Sequence, residues 1–168
     1  YTKDQLELLI QRRTSRKRLA DAPIADAIVG RGYQQRAIRR IGEAFENDHD
    51  RKALIVMATG AGKTRTVIAL IDLLMRCNWV KRVLFLCDRV ALVNQAVNAF
   101  KKHLPEASPV NLVTEKDTEG RVFVSTYPTM LNVIRNEEKT LSPHFFDLIV
   151  VDESHRSIYN TYQEVLDY

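Results

Sequence analysis

A chain of 168 residues is long enough for one well-buried domain and too short for two large ones, so a single core is expected. With 45% hydrophobic and 27% charged residues it has the balance of an ordinary soluble globular protein. No apolar run approaches the ~18 residues of a membrane span and no signal-peptide pattern is present, which points to the cytoplasm and away from a membrane. Cys77 and Cys87 lack any Cys-x-x-Cys spacing, which argues against a zinc site or a disulfide framework and for two reduced, buried thiols.

The net charge of +4 sits unevenly. Residues 1–52 carry 12 Lys or Arg against 8 Asp or Glu, and residues 53–168 carry 13 against 13. Much of the excess is the run RRTSRKR, from Arg12 to Arg18, a solvated helix end or linker in one reading and a nucleic-acid contact in another. The chain opens at Tyr1 and stops at Tyr168 in a polar-aromatic stretch, as a piece of a longer protein would.

In chain order, TKDQ from Thr2 has the form of a capping box, and Leu6, Leu9 and Ile10 share one helical face, so a helix is predicted over about residues 3–19. Pro23 breaks it. Ile38, Ile41 and Phe45 predict a second helix from Gln34 to the polar cluster at Asn47–Asp50. The apolar run from Ala53 to Met57 predicts a strand, followed by the loop ATGAGKT and a helix over about 63–77. Strands are then predicted at Val83, Val110, Val122 and Asp147–Val151, with helices through Val93, Ala96, Val97 and Phe100 and after Pro128. Short, continuously apolar strands alternating with helices predict an α/β fold with a parallel sheet covered on both faces.

A glycine loop that leaves a strand and opens a helix presents unpaired amides at the positive end of the helix dipole, where phosphate binds. Thr59, Gly60, Ala61 and Gly62 form the cradle, Lys63 can reach the β and γ phosphates, and Thr64 can coordinate Mg2+. The strict Walker pattern has a glycine where this chain has Met57. A P-loop ATPase also needs a carboxylate at the end of a neighbouring strand, and LIVVDE supplies Asp152 for the metal and Glu153 to position or activate water.

With DESH, Asp152 to His155, the loop resembles motifs I and II of superfamily 2 helicases and translocases of the DExH type. RGYQ, ending at Gln34, resembles the upstream Q-motif, whose glutamine reads adenine; Gln35 is the competing candidate. FLCDR with Leu92 and Gln95 resembles motif Ia, and STYPTM from Ser125 resembles motif Ib. The combination, over about residues 31–158 and with Arg156 and Ser157 after the box, is most similar to the motor part of the restriction subunit of type I restriction-modification enzymes.

That resemblance implies a three-layer RecA-like P-loop lobe over 31–168, with residues 1–30 as a helix and linker joining it to an upstream domain. It implies ATP and Mg2+ as cofactors, and a motor that moves on double-stranded DNA within a site-specific deoxyribonuclease. Expected partners are a second RecA-like lobe of the full-length chain and the specificity and methylation subunits. Arg89, Thr126 and Tyr127 lie past strand ends and are candidates for DNA phosphate contact, Arg89 having an ion pair with Asp88 as its alternative. His155 would couple the nucleotide and DNA sites, whereas His49, His103 and His144 are expected at the surface.

The Ser-Ala-Thr motif and the second lobe with its arginine finger are missing from these residues, so the piece alone is expected to bind ATP weakly and hydrolyse it very slowly. Open alternatives are another DExH helicase or repair translocase, a P-loop kinase or transporter ATPase, and a nucleotide-binding module that does not act on DNA.

Overall fold

The computed structural model describes residues 3–135, 141, 144–152 and 165. They fall in two compact units, residues 1–80 and 81–168. The first holds helices α1 (Lys3–Thr14), α2 (Gly32–Glu46) and α3 (Lys63–Arg76). The second holds β1 (Val83–Cys87), α4 (Val90–His103), β2 (Pro109–Asn111), β3 (Val122–Thr126), α5 (Tyr127–Arg135) and β4 (Leu148–Val151).

In the second unit the strands form one all-parallel sheet in the order β2-β3-β1-β4. Every residue of β1 and β3 is buried, which is why these strands read as unbroken apolar runs; β4, at an edge, is half-buried. Successive side chains leave a strand on opposite faces. Phe85 meets Phe100 of α4 edge-on at 5.6 Å, while Leu84, Leu86 and Phe123 pack with Tyr127, Met130 and Leu131 of α5. Phe123 also meets Phe145 and Phe146 edge-on, each at 5.5 Å. The predicted α/β class, parallel and helix-covered, is the fold observed.

The approach to β3 needs a glycine. A Cβ at Gly120 would lie 2.5 Å from both the Ser108 carbonyl oxygen and Val110 Cγ2. The turn into β4 is held by Asp147, whose carboxylate accepts from the amides of Lys81 at 2.8 Å and Arg82 at 3.0 Å.

In the first unit α2 and α3 organise the chain that precedes them. Leu19, Ile28 and Val29 are buried. The Arg39 guanidinium donates to the carbonyls of Leu19, Ala20 and Ala22 at 2.6, 3.2 and 2.7 Å. Arg76 is paired with Asp72 at 2.8 Å and donates to the Pro23 carbonyl, and the Trp79 indole donates to Lys17 O at 3.0 Å. These bonds explain why α1 stops at Thr14 and not near 19: the Lys17 amide is taken by Cys77 O and the Leu19 amide by Glu46. They also occupy part of the basic run, since Arg16 stacks on Trp79 at 4.5 Å and Arg18 pairs with Glu46. The proposed cap at Thr2 lies outside the described residues, and Leu6 and Ile10 of α1 are exposed.

One predicted element is absent. Residues 53–57 form no strand, and Leu54 and Val56 are 77% and 85% exposed. A strand exists only through a hydrogen-bonded neighbour, and no described residue pairs with this run. Among the described residues no helix is long and apolar enough to cross a membrane.

Phe123 is fully buried between the rings of Phe145 and Phe146 and the apolar side chains of its cluster. Phe123→Ala is expected to destabilise the protein by about 3–5 kcal/mol, read as a lowered urea midpoint at unchanged slope.

Candidate functional site

The loop 58–62 turns through two left-handed glycines, Gly60 at φ 77° and Gly62 at φ 86°, a region that other residues enter at a cost. Ala61 donates to Ala58 O at 3.1 Å, closing the turn. Gly62 is the N-cap of α3 and has no side chain to cap the helix, so the first-turn amides meet no capping oxygen from it. The helix itself is anchored by buried Ile68, Ala69, Ile71, Leu73 and Leu74. Lys63 and Thr64 stand half-buried in its first turn, and Thr59 and Gly60 are exposed.

Helix α2 holds this loop from behind. Gln34 is 5% exposed, and its amide nitrogen donates to Ala61 O at 3.2 Å and Gly62 O at 3.5 Å. Tyr33 donates its hydroxyl to the same Ala61 oxygen at 2.8 Å and accepts from Arg31 at 2.9 Å. Thr66, fully buried, donates Oγ1 to Gly62 O at 3.0 Å. A Cβ on Gly62 would lie 2.6 Å from Gln34 Nε2 and would displace the end of that side chain from the loop, while the positive φ is what favours glycine here. Gln35, the alternative to Gln34, turns away from the loop and donates to Asp26 at 2.8 Å. The tie from Tyr33 and Arg31 to the loop was not foreseen; the only signal for it was a tyrosine beside the candidate glutamine.

In the second unit the register aligns Cys87 with Thr126 and Leu86 with Val151, so the carboxyl ends of β1, β3 and β4 share one edge, where open parallel sheets place binding groups. Asp152 follows β4, half-buried, its amide donating to Leu86 O at 3.0 Å. Arg89 is the N-cap of α4, largely exposed, and lies 3.5 Å from Asp88 in an open ion pair of little energetic weight. Thr126 is buried and bonds the Thr129 hydroxyl at 3.0 Å at the start of α5. Tyr127 is only 2% exposed, packed among Leu84, Leu86 and Phe123. Glu153 and His155 lie outside the described residues.

In the first unit the Gly62 amide has no acceptor among the described residues and the Thr64 hydroxyl stands one residue beyond Lys63, groups whose chemistry suits a phosphate. In the second unit Asp152 is a half-buried carboxylate at a strand end. No group of three His, Cys, Asp or Glu side chains poised for a metal occurs among the described residues.

Burial pushes the Cys87 thiol from 9.0 up to about 12, with the Asp152 carboxylate adding to the effect. A thiol raised on folding favours the folded state below the unfolded value, and this contribution is lost as pH rises from about 9 through about 12. Iodoacetamide at pH 8.5 is therefore expected to leave Cys87 unmodified in the folded protein and to alkylate it in urea, as peptide mass mapping would read.

Residues 27–168 match the family described as type III restriction enzyme, res subunit. The chain is similar to the type I restriction enzyme EcoAI endonuclease subunit of Escherichia coli, 37% identical over 145 residues, covering 82% of this chain and 18% of that protein. It is 33% identical to the EcoKI endonuclease subunit of Escherichia coli strain K12, over 82% of this chain and 12% of that protein. A putative ATP-dependent helicase of Saccharomyces cerevisiae, IRC3, is 28% identical over 97% of this chain and 23% of its own length. The chain thus spans less than a fifth of the two restriction subunits.

Proposed function

The chain belongs to the type III restriction enzyme res subunit family, and on that premise we propose that residues 31–168 are the first ATP-binding lobe of a DNA translocase. The parent protein is the restriction subunit of a type I restriction-modification enzyme, and residues 1–30 join the lobe to what precedes it. The observation that carries this reading is the glycine loop itself, whose Gly62 amide has no acceptor among the described residues and leads into the N-terminus of α3.

In this reading the amides of the loop and Lys63 bind the phosphates, and Gln34 reads the adenine with the end of its amide not given to the loop. Thr64 and Asp152 are the residues that would hold magnesium, which would supply positive charge to the phosphate oxygens. Glu153 orients the attacking water, and His155 couples hydrolysis to the DNA site. Arg89 grips a DNA phosphate without reading sequence; Thr126 and Tyr127 support that edge from within, consistent with their burial. The partners are double-stranded DNA, a second lobe of the same full-length chain, and specificity and methylation subunits, all in the cytoplasm. The likeness to the yeast helicase over 97% of this chain favours a second reading, a helicase of the same superfamily outside restriction.

The test is the ATPase rate of the full-length parent with and without duplex DNA and partner subunits, beside Lys63→Ala. Duplex DNA is expected to stimulate turnover, and the substitution to lower it by about a hundredfold or more, as loss of a phosphate-stabilising charge does. Turnover indifferent to both would refute the motor.

A further inference from the structure

The tyrosine of RGYQ lies in the segment that the sequence assigns to the base, yet its hydroxyl is spent on the phosphate loop. Resting on the phosphate-loop reading above, we propose that Tyr33 is a positioning residue for the reaction: it pins the Ala61 carbonyl and so aims the Gly62 amide at phosphate.

The argument starts from the peptide plane. The described peptides contain no cis bond, so the Ala61 C=O and the Gly62 N–H, which share one plane, point in opposite directions. Fixing one aims the other. Two donors meet on the Ala61 oxygen, the Tyr33 hydroxyl at 2.8 Å and Gln34 Nε2 at 3.2 Å, one for each lone pair. Arg31 donates to the Tyr33 oxygen at 2.9 Å, which leaves the tyrosine's own proton for Ala61 and polarises it.

Without such pins this peptide is the weak point of the loop. Glycine at position 62 populates either sign of φ with similar ease, and Gly60 stands one residue before Ala61. Rotation of the Ala61–Gly62 plane by half a turn would present a carbonyl oxygen to the phosphate where an amide is needed, converting attraction to repulsion. Gly62 N–H has no partner among the described residues to resist that rotation. The restraint comes through the carbonyl, from α2. Tyr33 is 39% exposed, so its hydroxyl contributes to loop geometry more than to the core.

The experiment uses the full-length parent and Tyr33→Phe, which keeps the ring and removes the donor. Two constants are measured: KM for ATP, and Ki of inorganic tripolyphosphate as a competitor of ATP hydrolysis. Tripolyphosphate has no base. If Tyr33 aims the phosphate cradle, both constants rise together, by about three- to tenfold, with an unchanged melting temperature. A rise in KM with Ki unmoved would place Tyr33 at the base and overturn the proposal, as would no change in either. Failure of the unsubstituted parent to hydrolyse ATP or to be inhibited by tripolyphosphate would instead sink the phosphate-loop reading, whatever Tyr33→Phe does.

Discussion

A backbone amide can serve an anion only if it is left unpaired and still held in place, and these two demands conflict. A bond to the amide would satisfy it and close the site. The first unit resolves this by bonding the carbonyls instead: Ala61 O by Tyr33 and Gln34, Gly62 O by Gln34 and Thr66. Each of these donors bonds a carbonyl oxygen, and none occupies the Gly62 amide. The left-handed glycines and the absence of a capping side chain at Gly62 then leave the amide side open.

That arrangement makes α2 the element on which the first unit depends. Its first turn holds the glycine loop, and further along Arg39 gathers three carbonyls of the preceding segment. Buried Ile38 and Ile41 fix its apolar face. A guanidinium with several donors in a fixed fork suits the task, because a chain with no regular structure still has carbonyls that need partners.

The second unit works by a different constraint. Parallel strands must be buried on both faces, so β1 and β3 carry no polar side chain until their last residues, Ser125 and Thr126 in β3. Charged side chains are therefore confined to the strand ends, where Asp88 and Arg89 follow β1 and Asp152 follows β4.

Much of this was legible along the chain. Strand runs at Val83, Val122 and Leu148, helical spacing in α2 and α4, and the glycine loop are short-range patterns, and each appeared within a few residues of its predicted bounds. What failed were features set by distant partners. The run Ala53–Met57 has the composition of a strand but no paired neighbour among the described residues; α1 ends early because Cys77 and Glu46 take the following amides. Burial too is set at a distance: Thr126 and Tyr127 are 5% and 2% exposed, Tyr127 within the α5 cluster. Residue type and spacing by themselves determined the fold class, the family and which side chains could do phosphate chemistry. Only the tertiary structure decided where those side chains spend their hydrogen bonds, because a donor such as the Tyr33 hydroxyl chooses its acceptor by proximity in space, and Ala61 is distant in sequence.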